Sequence, residues 1–389
     1  RLSGVKVVTC RVKSKFRGEV NQKDRHFISS MRRYLAGNNV SNWPFIDSYV
    51  QNSIENDLSI IYFLIKKYCT KESNIFISHG IYHTWGPFYD FYLDNMNDIR
   101  ILVYGASVYR PGSIIFCNGP LQISMPIQIK SHAQNDSSYL DIKDRVNGDS
   151  IDQESYIFET SEVELKGNEI IIKNKHEFLF NISKDPSYVV SLFPNCIWDG
   201  DITERDKLFT GILDWINKTV SLISDDSLII IRAHPAEATL WSHQSKLRGL
   251  LAHDILNRVV FIPPGSKISS FDVARASDLC VVYDSTIGVE FAYEEIPVIM
   301  AANSRYNYCP GIKNPSSIDE YQKAINQKFS NVNTHKELVG NYWNEINNSL
   351  LYSLEGYKGE GFSSLPDFKK MKKNNQIEYL VDDIVSYFQ

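Results

Sequence analysis

The sequence has no cysteine pairs to staple it. Its six cysteines, Cys10, Cys69, Cys117, Cys196, Cys280 and Cys309, are scattered over 389 residues without a Cys-x-x-Cys spacing. Such usage reads as reduced thiols of a cytoplasmic protein and argues against a disulfide framework or a cysteine-based zinc site. An excess of positive charge is missing as well. The 41 basic and 46 acidic residues leave a net charge of −5, with no global basic field for nucleic acid. No apolar run reaches the roughly 18–20 residues that span a bilayer, and no signal peptide is visible. The Gly-x-x-x-x-Gly-Lys-Ser/Thr loop is absent, which excludes a P-loop nucleotidase. No Gly-x-Gly-x-x-Gly follows the first strand, which argues against a dinucleotide enzyme. The chain starts at Arg1 rather than Met, so it is expected to be a trimmed or excised region, and a targeting signal ahead of Arg1 stays open.

What is present describes a globular protein, with 43% hydrophobic and 22% charged residues. The chain is too long for one ordinary core, and two domains are expected. "VKVVTCRV" (5–12), "NIFISHG" (74–80) and "IRILVYGAS" (99–107) have strand composition. Residues 49–69 carry Ile54, Leu58, Ile61, Leu64, Ile65 and Tyr68 at helical spacing. Between about 120 and 185 the pattern becomes polar and then alternates, with a hairpin turn expected at Gly167-Asn168. From Tyr188 onward, strands and helices alternate regularly through "YVVSLFPN", "SLIIIRAHP", "VVFIPP", "LCVVYDST" and "PVIMAA". This pattern predicts a doubly wound parallel sheet, whose ligands sit beyond the carboxyl ends of the strands. The expected division is a first Rossmann-like domain over 1–185, with a β-rich insertion or elaboration at about 120–185. A second Rossmann-like domain over 186–355 and a linker with a C-terminal helix over 356–389 complete it.

Chemistry concentrates at the strand ends of the second half. In "SLIIIRAHPAEATLW" an apolar strand ends in Arg232-Ala233-His234-Pro235-Ala236-Glu237. Pro235 favours an extended His234 and suits the opening of the next element. A histidine presented there can donate a hydrogen bond to a phosphate, although a plain turn residue explains it equally in isolation. About 50 residues later, "LCVVYDSTIGVEFAYEEIPVIM" places Asp284-Ser285-Thr286 before a helix that carries Gly288 and Glu290. Ser285 and Thr286 read as helix caps, but hydroxyls and amides at a helix start also suit a phosphate. Glu290 is a candidate for ribose hydroxyls or for a surface ion pair. Together, the two strand ends suit a nucleotide phosphate better than either does alone.

The blocks "LFPNCIWDGD", "IIIRAHPAE" and "VVYDSTIGVEFAYEEIPVIMAA" resemble the capsule polysaccharide biosynthesis family of bacterial glycosyltransferases. They are also similar to bacterial sialyl-, polysialyl- and Kdo-transferases, which use CMP-activated sugars. The resemblance covers mainly residues 188–312, roughly a third of the chain. It implies an α/β, GT-B-like fold with two Rossmann-like domains facing a cleft, a nucleotide-sugar donor, and a glycan or lipid-linked glycan acceptor. The resemblance further implies CMP-Kdo, CMP-sialic acid or a UDP-sugar as the donor and a bacterial surface polysaccharide as the product. His234 with Pro235 would then meet a donor phosphate, Ser285 and Thr286 the same phosphate, and Glu290 the ribose. Arg232, Glu237, Asp284 and Gly288 complete the expected donor site. The acidic-acidic-Gly base motif of those transferases is not found in residues 1–185. No metal is expected, because His234 and a helix dipole would neutralise the leaving phosphate. The expected location is the cytoplasm, with peripheral contact at the inner face of the membrane; Lys369, Lys370, Lys372 and Lys373 are the only weak membrane-binding feature.

Candidates for the chemical step are His79, at the end of an early strand as in similar capsule-type sequences, and Asp199 and Asp201 in "WDGD". Asp90 and Asp94 are weaker. Tyr82, Trp85, Phe88, Tyr89 and Tyr92 form either a sugar platform or core. His79 and His83 stand four residues apart, but Gly80 and the preceding strand argue against a helical metal pair. Arg25, His26, Arg32 and Arg33 form a basic cluster, read either as a solvated face or as a contact for an anionic acceptor. Two other readings remain at this point: a GT-B-like UDP-sugar epimerase, and a non-catalytic sugar-nucleotide or glycan-binding module.

Overall fold

The structure is a computed structural model. It describes residues 24–35, 44–106, 113–127, 142–147, 169–174, 177–181, 188–199, 205–238, 246–266, 268–328, 336–347, 351–353 and 376–389. The expected strand at 5–12, Gly167-Asn168, Asp201 and the lysines at 369–373 lie outside the described residues, as does the side chain of Arg32.

The regular half forms one six-stranded sheet. Its strands are β6 (Val189–Phe193), β7 (Leu228–Arg232), β8 (Val260–Ile262), β9 (Leu279–Val282), β10 (Val298–Met300) and β11 (Ile312–Lys313), and every pairing is parallel. Spatially they run β11-β10-β9-β6-β7-β8. Counted from β6, this is the 3-2-1-4-5-6 order of a doubly wound nucleotide-binding sheet. Layers cover both faces, so the strands read as unbroken apolar runs; Ile229, Ile230 and Ile231 are fully buried. Helix Ile212–Leu222 shows the complementary pattern, burying Ile212, Trp215, Ile216, Thr219 and Val220 on one stripe.

The first half is built differently. β1 (Ile75–Ser78) pairs in parallel with β2 (Ile101–Ala106), but β2 pairs antiparallel with β3 (Ser113–Cys117). β3 pairs antiparallel with β12 (Leu351–Ser353), so the chain returns to this sheet after completing the second one. Among the described residues this four-stranded sheet contains one parallel pair, and the expected fully Rossmann-like first domain is not what they form. Helix Gln376–Phe388 also docks here, packing Leu380, Ile384, Tyr387 and Phe388 around Leu102 and Phe116. The middle segment reaches the other unit: Ile142 and Val146, one turn apart on helix Ile142–Asn147, are buried in the core of the six-stranded sheet. An antiparallel pair is present in this region, β4 (Glu169–Asn174) with β5 (Glu177–Asn181), in the register Glu169 opposite Asn181 and Asn174 opposite Glu177.

Helices Arg25–Leu35, Pro44–Tyr68 and Tyr82–Asp94 pack beside the first sheet, with Phe27, Met31, Ile54 and Leu58 as a small separate core. Gly86 permits the contact between the first and third. A Cβ there would lie 2.1 Å from Nδ1 of His26, whose Nε2 is held 2.7 Å from Asp90. Gly86→Ala should therefore destabilise by about 1–3 kcal/mol, despite alanine's helix advantage of about 1 kcal/mol over glycine. The midpoint of chemical denaturation reads this directly.

Candidate functional site

In a sheet of this order, neighbouring strands leave in opposite directions at the switch point, opening a crevice beyond their carboxyl ends. Here that point lies between β6 and β9. The loop after β6 is Pro194-Asn195-Cys196-Ile197-Trp198-Asp199, and the loop after β9 begins Tyr283-Asp284-Ser285-Thr286. They touch: Oδ1 of Asn195 accepts from the Asp284 backbone N–H at 3.5 Å.

The loop after β7 joins them through His234. Its backbone is extended (φ −63°, ψ 129°), as Pro235 requires, and Pro235–Glu237 makes one 3₁₀ turn. Nδ1 of His234 accepts from the Ala236 N–H at 3.1 Å and lies 3.3 Å from Sγ of Cys196. With Nδ1 accepting, the ring proton resides on Nε2, which leaves a donor for a ligand. Burial, helped by the charge of Arg232, pushes the His234 pKa down to about 4. His234 is thus a neutral donor at physiological pH, and an NMR titration of its ring should find it uncharged at pH 5.5. Burial also keeps Cys196 a thiol.

Arg232 is buried, with its guanidinium donating to the carbonyls of Ala233 (3.0 Å) and Pro263 (2.7 Å). Among the described residues it has no carboxylate partner, so its charge adds positive potential beneath the loop. Glu237 is fully buried and accepts from the Leu247 N–H at 3.4 Å, at the start of helix Lys246–Leu250. This bond anchors the next element.

The loop after β9 departs from a simple helix cap. Thr286 makes no side-chain cap bond and donates to the Tyr306 hydroxyl at 3.1 Å. The N–H groups of Gly288 and Val289 donate to the carbonyls of Ser285 and Thr286, and the Ile287 N–H points to the Ser285 hydroxyl oxygen at 3.5 Å, so these three amides are engaged within the loop. Gly288 lets helix Ile287–Tyr293 lie close on the sheet, since a Cβ would stand 3.0 Å from Val282 and 3.1 Å from Met300. Glu290 is buried within that helix.

Two carboxylates define the electrostatics. Asp284 is 7% exposed, its Oδ2 is 3.7 Å from Arg205, and its buried Oδ1 has no hydrogen bond among the described residues. Burial raises its pKa. Burial together with the negative charge of Asp284 brings Asp199 up to about 6, against the pull of Arg205 and Arg33. Asp199 keeps contact with solvent, its side chain being 40% exposed, and its Oδ1 lies 3.8 Å from Arg33 of the first unit. The first unit also touches the loop after β10, where the Arg305 N–H donates to the Gln122 carbonyl at 3.3 Å.

The other candidates belong to the first unit. His79 follows β1 in a left-handed conformation (φ 57°), bonded through Nδ1 to Ser78, with its pKa lowered by burial. Asp90 is engaged by Arg25 and His26. Phe88, Tyr89 and Tyr92 pack in the core of the first sheet, whereas Tyr82 and His83 line a pocket. Among the described residues, no cluster of three or more His, Cys, Asp or Glu side chains is arranged for a metal. No helix among them is long and apolar enough to cross a membrane. Asn195 and Arg205 were not singled out from the sequence; only Asn195 had a signal, its place at the end of an apolar strand.

No family model and no curated protein matches the chain. Solved structures do. The chain is similar to the beta Kdo 2,7 transferase of KpsC from Thermosulfurimonas dismutans, at 10% identity over 82% of this chain and 89% of that one, with a TM-score of 0.35. The beta Kdo 2,4 transferase of the same KpsC matches at 11% identity over 72% and 83%, with a TM-score of 0.36. A structure of the wall teichoic acid polymerase TagF, the H444N variant soaked with CDPG, matches at 11% identity over 43% and 39%, with a TM-score of 0.28. By their own descriptions these neighbours are two beta Kdo transferases and a wall teichoic acid polymerase.

Proposed function

We propose that this chain is a glycosyltransferase that moves a sugar from a nucleotide-activated donor to a glycan acceptor. The observation that carries the reading is the convergence of His234, Asp284 and Asp199 on the loops at the switch point between β6 and β9. The family resemblance of these same loops supplies the reaction class. In this reading Nε2 of His234 and the Ser285 hydroxyl hold the donor's phosphate, while Thr286, bonded to Tyr306, fixes the loop that presents Ser285. The donor is of the CMP-Kdo, CMP-sialic acid or UDP-sugar type. Asp199 takes the proton of the acceptor hydroxyl as its oxygen bonds to the anomeric carbon. The carbon–oxygen bond to the phosphate breaks, and the nucleotide leaves with that electron pair. A base whose pKa lies near working pH is effective for this step. Neutral hydrogen-bond donors and the buried Arg232 stabilise the departing phosphate, so no metal is assigned.

The test is nucleotide release from CMP- and UDP-sugars, with and without a mixture of bacterial polysaccharide fragments. Release that requires the fragments is expected. Turnover of a UDP-sugar without any acceptor would replace this reading with an epimerase.

A further inference from the structure

Helices Arg25–Leu35, Pro44–Tyr68 and Tyr82–Asp94 line a wide-mouthed surface pocket of about 410 Å³, none of whose lining residues lies in the loops of the six-stranded sheet. Its wall combines two chemistries. Asp57 lies 3.7 Å from Nε2 of His83, while the Ser30 hydroxyl oxygen accepts from the His83 backbone N–H at 2.8 Å and lies 2.9 Å from its Nδ1. Tyr34 and Tyr49 stand 50% and 78% exposed beside this polar group, with Tyr82 on the same wall. The approach to the third helix is strained. His79 (φ 57°) and Tyr82 (φ 64°) are both non-glycine residues in the left-handed region. Each costs on the order of 1–3 kcal/mol, a strain that persists where a fixed geometry is needed. Here it fixes the turn that brings Tyr82 and His83 into the pocket wall. Arg33 lines the pocket too, and its Nη1 is 3.8 Å from Asp199, so one side chain touches both the pocket and the proposed base.

Resting on the transferase reading above, we propose that this pocket holds the acceptor saccharide. A pyranose ring has apolar C–H faces and a rim of hydroxyls. Exposed tyrosines match the faces, and the Asp57–His83 pair matches the rim. A few placed polar groups in an otherwise apolar wall are the usual make-up of a small-ligand site, and the volume is in the usual range. Arg33 spans the gap between the ring and Asp199, where the attacking hydroxyl loses its proton.

The experiment is ligand-observed NMR on the full chain with four probes: methyl α-glucoside, methyl β-galactoside, N-acetylneuraminic acid and Kdo. At least one should bind, and Asp57→Asn and Tyr49→Ala should each weaken it about tenfold while CMP or UMP binding is unchanged. Both positions are well exposed, so folding is expected to survive in each variant. Absence of binding by all four, or binding indifferent to both substitutions, overturns the proposal. Variant-sensitive sugar binding in a protein that binds no nucleotide leaves the pocket standing and removes the transferase reading instead.

Discussion

Asp199→Asn should lower turnover by about 10²–10⁴-fold with nucleotide affinity nearly unchanged. The amide keeps the shape of the carboxylate but cannot accept the acceptor's proton. The pH profile of the parent carries the same signature. A carboxyl with a pKa of about 6 is protonated below that value, so kcat/KM should fall as pH drops through 6, roughly tenfold per unit. Arg33 pulls this pKa down, so Arg33→Met should move the acid limb to higher pH. Stability behaves in the opposite sense. The carboxyl rises from an ordinary 3.8 to about 6 on folding, so the folded state holds a proton that the unfolded chain has lost between those values. Stability from this group therefore falls as pH rises through that window. Asp199→Asn removes the cost and should be at least as stable as the parent at pH 7. Lost activity in a protein of undiminished stability separates chemistry from folding.

His234→Ala should weaken nucleotide binding roughly ten- to a hundredfold, the effect of losing a hydrogen bond of about 1.5–3 kcal/mol to a charged group. The loss belongs to Nε2, because Nδ1 is already committed to the Ala236 amide and the Cys196 thiol. Since the ring stays neutral down to about pH 4, parental affinity should not climb as pH falls from 7 to 5.5. A cationic histidine on a phosphate would show such a climb. Isothermal titration of CMP and UDP at the two pH values distinguishes them.

The second half was legible in the sequence because parallel strands buried on both faces are written as plain apolar runs. The extended His234 was legible too, since proline restricts the residue before it. The strand order was not, and it decides which loops meet. Asn195 and Asp284 are 89 residues apart and touch only because β6 and β9 are neighbours. Arg205 gives no local sign of its role, since Asp284, its partner beyond the adjacent Asp206, reaches it only through the same topology. Gly288 also lets its helix come close to Val282 and Met300, an approach of helix to sheet that no spacing rule reveals. The return of β12 and helix Gln376–Phe388 to the first sheet was equally hidden, because its partners lie more than two hundred residues away.

The central claim is that the loops at the β6/β9 switch point bind a nucleotide. Its most direct test is a thermal-shift panel of CMP, CDP, UMP, UDP, GDP and ADP, with and without Mg²⁺, on the parent and on His234→Ala. A ligand held at 100 times its dissociation constant stabilises by about 2.7 kcal/mol, well within reach of the method. The expected result is a selective shift by a cytidine or uridine nucleotide, without a need for Mg²⁺, that is lost in His234→Ala. No shift by any nucleotide, or a shift that His234→Ala leaves intact, would contradict the claim.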